Sequence, residues 1–199
     1  QLVGAKRGQT VVDFCAGAGG KTLALAAAMR STGQVFACDI SAVRLQRLRP
    51  RLHRAGATNV QPMAIDSEHD RKLDRLASRA DAVLVDAPCS GTGTLRRNPD
   101  LKWRGDAMSL DRLVEQQRSI LSAAARLVKP GGVLVYATCS LLEDENEAQA
   151  AHFEATHPDF VREPVDAILP GFGEPGGCLR LFPHRDGVDG FFAVRWRRR

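Results

Sequence analysis

The sequence has no Cys-x-x-Cys pair, no apolar run approaching 18 residues and no signal-peptide pattern, and each absence removes a class of protein. Its cysteines, at 15, 38, 89, 139 and 178, are odd in number and widely spaced. That argues against a disulfide framework and against a metal site, and it favours reduced thiols in the cytoplasm. Without a long apolar run there is no candidate membrane span. No internal repeat, low-complexity tract or linker divides the chain. It begins at Gln1 rather than methionine and enters an apolar stretch almost at once, so a piece of a longer protein is expected.

What remains is a chain of 199 residues, enough for one domain that buries about 70% of its unfolded surface. Hydrophobic residues at 44% and charged residues at 26% are ordinary globular values. Lys+Arg at 28 against Asp+Glu at 23 leaves a net charge of +5. That suits an anionic partner such as nucleic acid, although modest positive charge is also common on soluble surfaces.

Short apolar runs alternate with helix-forming ones. Strands are expected at 10–14, 34–39, 60–65, 82–86, 132–136 and 190–197, and helices at 22–29, 42–55, 110–128 and 141–151. Ser41 is a candidate N-cap, Gly56 a candidate stop, and Pro50 interrupts the helix between them. Such alternation implies an α/β fold, a mostly parallel sheet with helices on both faces. The stretch after 151 reads as loop up to the last strand.

Gly17-x-Gly19-Gly20, between a strand and a helix, allows close backbone approach to a ligand. Asp39 ends the second strand, where such folds place a carboxylate that grips ribose hydroxyls. Together they point to an adenosine cofactor; separately each is an ordinary turn residue. Asp13 is expected to be partly buried near the glycine loop, Asp66 to reach an adenine amino group, and Asp86 to lie near the cofactor's reactive end. Gly20-Lys21-Thr22 imitates the end of a phosphate-binding loop, but Cys15 occupies the position of that motif's first glycine.

Cys89 and Cys139 each follow a strand end. Ser140 and Glu143 have capping-box spacing, which would set Cys139 ahead of a helix N-terminus and give it thiolate character; Glu143, Asp144, Glu145 and Glu147 oppose this. The plain alternative is that both are small buried hydrophobes, as most free cysteines are. Spacing alone leaves Cys15, Cys38 and Cys178 structural.

Four stretches carry a resemblance: 13–22 (DFCAGAGGKT), 86–93 (DAPCSGTG), 96–103 (RRNPDLKW) and Thr138-Cys139-Ser140. In this order, over nearly the whole chain, they resemble RNA cytosine-5 methyltransferases of the Sun/Fmu type. The resemblance implies an S-adenosylmethionine-dependent Rossmann-like domain, with Cys139 as nucleophile and Cys89 as the thiol needed for product release. It implies cofactor contacts from Cys15, Ala16, Gly17, Ala18, Gly19, Gly20 and Lys21, and from Asp39, Asp66 and Asp86. Ala18 departs from the family, where many members carry proline. Residues 1–199 are expected to be the catalytic domain alone, without the RNA-binding segment that usually precedes it, acting as a monomer.

Two thiols suit this chemistry. Carbon 5 of cytosine becomes nucleophilic once a thiolate adds to carbon 6, and the adduct must later be resolved. Asp86 is a candidate to hydrogen-bond the base edge. The RNA, for which ribosomal RNA is expected ahead of transfer RNA without the sequence separating the two, must present its cytosine unstacked. Arg96, Arg97, Lys102 and Arg104, with Trp103 among them, are candidates to hold it, or form only a solvated loop. The C-terminal arginines 195 and 197–199 carry the same two readings. A nucleoside triphosphatase and a catalytically silent RNA-binding protein are the competing classes.

Overall fold

The structure is a computed structural model that describes residues 1–103, 110–174 and 176–199, with Lys102 described through its backbone. The elements are β1 (Thr10–Asp13), α1 (Gly20–Ala28), β2 (Gln34–Asp39), α2 (Ala42–Ala55), β3 (Val60–Ala64), β4 (Ala80–Asp86), α3 (Leu110–Ala125), β5 (Val128–Thr138), α4 (Glu147–Thr156), β6 (Phe160–Arg162), β7 (Leu179–Leu181), α5 (Pro183–Asp186) and β8 (Phe191–Arg198). Among the described residues they form one sheet in the order β3-β2-β1-β4-β5-β8-β6, with β7 also paired to β8. The five strands from β3 to β5 are parallel, and β6, β7 and β8 add antiparallel pairs.

The parallel strands are apolar on both faces because both are covered. Leu25 and Met29 pack against Val11 and Val35, and Leu45, Leu48 and Leu52 of α2 against Ala37. On the other face Ile120, Leu121 and Phe153 from α3 and α4 meet Val12, Val83 and Leu134. The expected α/β Rossmann-like architecture is therefore present.

Helix α2 matches its sequence signals: Ser41 Oγ accepts from the Arg44 N–H at 3.3 Å, and Gly56 closes the helix at φ 62° with Pro50 inside it. Elsewhere the boundaries differ. Helix α3 stops at Ala125, and Lys129-Pro130-Gly131-Gly132 belongs to β5 as an irregularity opposite Ala80 and Ala82. The helix expected over 141–151 is a 3-10 turn at Glu143–Glu145 followed by α4. Ser140 caps neither; its Oγ accepts from the Leu142 N–H at 3.0 Å, a local turn that lets the chain bend back toward Thr92.

The stretch after 151 contains α4's last turns, β6, β7 and α5, whose short lengths leave little periodicity to read. Arg195, Arg197 and Arg198 are tied into this edge: Arg195 and Arg197 pair with Glu163 at 2.5 and 2.6 Å, and Arg198 with Asp159 at 3.0 Å. At the opposite edge, the Ile65 N–H donates to Asp39 O at 3.1 Å. By alternation, Gln61 and Met63 face β2 and Pro62 faces outward.

Asp13 is fully buried rather than partly so, and Thr22 Oγ1 donates to its Oδ2 at 2.6 Å. Burial raises its pKa to about 6, with Asp86 and Asp39 adding to the effect and the Thr22 bond and Lys21 opposing it. A raised carboxyl favours the folded state below the unfolded pKa, and that contribution is lost as pH rises through about 6. Asp13→Asn should therefore gain on the wild type between pH 4 and pH 7, by something on the order of 1–3 kcal/mol, read from urea unfolding at several pH values. A difference independent of pH would contradict the assignment.

Candidate active site

The carboxyl ends of β2, β1, β4 and β5 open onto a cleft of about 700 Å³. In an open α/β sheet this is where ligands bind. The chain reaches it first through Cys15 to Gly20. Gly19 is left-handed at φ 83°, and a Cβ there would lie 2.1 Å from Leu48 Cδ1, so this glycine lets the loop pack on α2. Gly19 is not among the cleft-lining residues, whereas Cys15, Ala16, Gly17, Ala18, Gly20 and Lys21 are. Cβ atoms at Gly17 or Gly20 would meet nothing within 4 Å, so bare backbone borders the open space. Burial pushes the Cys15 thiol well up, and Cys38 up to about 12, consistent with both being inert.

Asp39 is 4% exposed and holds the loop itself: Oδ2 accepts from the Gly17 N–H and Oδ1 from the Ser41 N–H, each at 2.7 Å. Asp66 lines the cleft and is exposed, its N–H donating to Asp70 Oδ2 at 2.9 Å. Ile40, 59% exposed beside Asp39, adds an apolar wall that the sequence did not single out. Its signal was present, a branched apolar residue directly after the strand-end acid.

Lys21 Nζ lies 2.6 Å from Asp86 Oδ2. With Lys21 paired there and Thr22 turned inward to Asp13, neither is offered to a phosphate, which removes the structural basis of the triphosphatase reading.

Strands β4 and β5 bring the two thiols together: Cys89 Sγ and Cys139 Sγ are 3.4 Å apart. The hydrogen bond from Cys89 lowers the Cys139 thiol to about 7, against burial and Asp86, and the same bond raises Cys89. The cause differs from the expected one. No helix begins behind Cys139, so a neighbouring thiol takes the part expected of a helix dipole.

The Cys89 turn is anchored on both sides by residues that sequence reasoning misread or passed over. Gln117 Nε2 donates to Pro88 O and to Glu145 Oε1, both at 2.9 Å. The Ser90 N–H and Oγ donate to Glu145 Oε1 and Oε2 at 2.8 and 2.5 Å. Glu145, read in the sequence only as one of four acids opposing a thiolate at Cys139, is fully buried. The available signal was Gln117, a polar residue at core spacing with Ile120 and Leu121. On the Cys139 side the Gly93 N–H donates to Cys139 O at 2.8 Å, and a Cβ at Gly93 would lie 2.3 Å from Gly190 O.

Arg96, Arg97 and Trp103 do not line this cleft. Arg96 Nη1 donates to Gly187 O at 3.1 Å, Arg97 pairs with Asp189 at 3.0 Å, and Trp103 is 86% exposed. The Lys102 side chain and Arg104 lie outside the described residues. Among those residues no cluster of His, Cys, Asp and Glu could hold a metal, and no helix is long and apolar enough to cross a membrane.

The family model described as 16S rRNA methyltransferase RsmB/F matches residues 1–197. The chain belongs to this family. Among RsmB/F relatives, the probable ribosomal RNA small subunit methyltransferase B of Synechocystis is 38% identical over 100% of this chain and 45% of its own. Ribosomal RNA small subunit methyltransferase F of Escherichia coli is 35% identical over 96% of this chain and 40% of its own. The chain thus spans less than half the length of these curated relatives. NSun6 from Pyrococcus horikoshii, solved with SFG, superposes with a TM-score of 0.85 at 30% identity, covering 99% of this chain and 50% of that one. The fold is that of S-adenosylmethionine-dependent methyltransferases.

Replacing Cys89 tests the thiol pair. Cys89→Ala should move the pH midpoint of Cys139 alkylation from near 7 toward the ordinary thiol value of about 8.5. At neutral pH the rate should fall by roughly tenfold. Iodoacetamide labelling at several pH values, with the modified peptide read by mass spectrometry, checks this; an unmoved midpoint would remove the Cys89 hydrogen bond as the cause.

Proposed function

We propose that this chain is the methyl-transferring core of an S-adenosylmethionine-dependent enzyme that forms 5-methylcytosine in ribosomal RNA through a covalent cysteine–cytosine adduct. The observation that carries the reading is the pair of sulfurs 3.4 Å apart at adjacent strand ends, one of them acidic. Family membership and the relatives' names support the ribosomal substrate, and reduced thiols fit a cytoplasmic setting.

The glycine loop from Cys15 to Lys21, with Asp39 and Asp66, would hold the cofactor. The bare backbone at Gly17 and Gly20 and the acid beside Ile40 fit an adenosyl group. When bound, S-adenosylmethionine supplies an electrophilic methyl group. The protein's own part begins at Cys139, whose thiolate adds to carbon 6 of the cytosine and forms a C–S bond. The π electrons of the 5,6 double bond then make carbon 5 nucleophilic enough to take the methyl group. Asp86, oriented by Lys21, accepts a hydrogen bond from the base edge. In the second half the carbon 5 proton passes to a base such as solvent water, its bonding electrons re-form the 5,6 double bond, and the C–S bond breaks, returning Cys139 as thiolate. Cys89 serves this step, and its distance from Cys139 is the support for that role. Trp103, with its ring in solvent, and Arg96, Arg97 and Lys102 are assigned to RNA stacking and phosphate contact.

Two measurements test the assignment. Asp39→Ala should weaken S-adenosylmethionine binding by about 1–3 kcal/mol in calorimetry, and unchanged affinity would take Asp39 out of the cofactor site. Cys139→Ala should abolish methylation and leave no adduct, whereas Cys89→Ala should accumulate a methylated protein–RNA complex that survives denaturing electrophoresis. The reverse pattern exchanges the two roles, and no shifted band in either variant rejects the two-thiol mechanism.

A further inference from the structure

Helix α2 carries arginine at 44, 47, 49, 51 and 54 and no acidic residue. Its core side is Leu45, Leu48 and Leu52. Arg44, Arg47, Arg51 and Arg54 follow at spacings of three, four and three, which places them in one row along the adjacent flank. Ten residues of helix make that row about 15 Å long. Arg44, Arg47 and Arg54 are exposed and Arg51 is half-buried.

The four arginines are not equally engaged. Arg44 lines the cleft and approaches Asp39 Oδ1 at 3.6 Å, and Arg51 Nη1 donates to Ala18 O at 2.6 Å. Among the described residues, Arg47 and Arg54 have no hydrogen bond or ion pair. Like charges three and four residues apart destabilise a helix, and no acid on α2 relieves them. Packing does not account for the row either, because the leucines on the neighbouring stripe supply it.

We propose that the Arg44–Arg47–Arg51–Arg54 row is a docking track for an RNA phosphate backbone, running outward from the cofactor end of the cleft. This inference rests on the reading of the chain as an RNA methyltransferase. Guanidinium forks match phosphate oxygens in shape and charge. A nucleic-acid strand carries one phosphate per roughly 3.4 Å of helix axis, so a 15 Å row spans about four of them. Strand β2, from which α2 departs, lies three strand spacings from β5 and its Cys139, about 14 Å away. The track therefore engages nucleotides flanking the target cytosine rather than the cytosine itself. Contacts of this kind fix register and contribute affinity without reading sequence. Arg51 connects the track to the glycine loop through Ala18 O.

The test compares the wild type with Arg47→Ala/Arg54→Ala and, as a control on the opposite face, Arg126→Ala, which lies just past the end of α3. Alanine preserves the helix, and thermal unfolding checks that it does. The probe is a transcript of small-subunit ribosomal RNA, titrated from about 50 to 200 mM salt. In the double variant the slope of log affinity against log salt should shrink by about 1.5, the KM for RNA should rise severalfold, and kcat and cofactor affinity should stay the same. Lysine at both positions should restore most of the slope. An unchanged slope in the double variant overturns the track, as does an equal loss per arginine from Arg126→Ala, which would make the effect one of net charge. If the wild type methylates the RNA while the double variant binds as well as it does, only this inference fails. If the wild type neither binds nor methylates RNA, the underlying reading fails with it.

Discussion

The site depends on the parallel pairing of β4 with β5, which sets Asp86 opposite Ala137. That register puts Cys89 three residues beyond one strand and Cys139 two beyond its partner residue on the other, so residues 50 apart in sequence bring their sulfurs within hydrogen-bond distance. A slip of two residues would keep every side chain on its own face yet separate the thiols by about 6.6 Å. Register alone does not hold the turn after Asp86, which has no strand to follow. Glu145 and Gln117 hold it from beneath, while Gly93 and Gly190 let a neighbouring loop come close enough to brace Cys139 from the side.

The electrostatics of the cleft work against ionising a thiol. Asp13, Asp39 and Asp86 surround the glycine loop, and Lys21 is engaged with Asp86. Cys15, lacking a donor of its own, is driven up by burial and by these acids. Cys139 feels Asp86 and burial too and moves the other way, because a hydrogen bond from the second sulfur favours its thiolate. The thiolate here is favoured first by a hydrogen bond between like groups and only secondarily by the charge of Lys21, whose ammonium is engaged with Asp86.

The parallel half of the sheet was legible in the sequence because its strands are short apolar runs ending in Asp13, Asp39 and Asp86, each followed by turn chemistry. The cleft-lining loop was legible for the same reason. The antiparallel edge was not, since three-residue strands such as Phe160–Arg162 and Leu179–Leu181 contain too few alternations to announce a period. The capping box at Ser140 and Glu143 was a false signal: spacing fits, but half-buried hydroxyls at Ser90 and Thr92 compete for Ser140, and Glu145 is drawn into the core by Ser90 and Gln117. A buried carboxylate that clamps a loop from another strand is a tertiary contact, and no local pattern encodes it. Arginine spacing on α2 was written plainly in the sequence, but its meaning depends on which flank the leucines leave uncovered.

The outward-facing Pro62 on β3 has one further consequence. At that edge the position that would offer a backbone N–H to an incoming strand offers a ring instead, and at the other edge β6 and β7 divide the boundary into two short pieces. Among the described residues, neither margin presents a continuous ladder of unpaired backbone groups. Association by extending the sheet at these margins, whether with another copy of the chain or with a foreign strand, is thereby disfavoured.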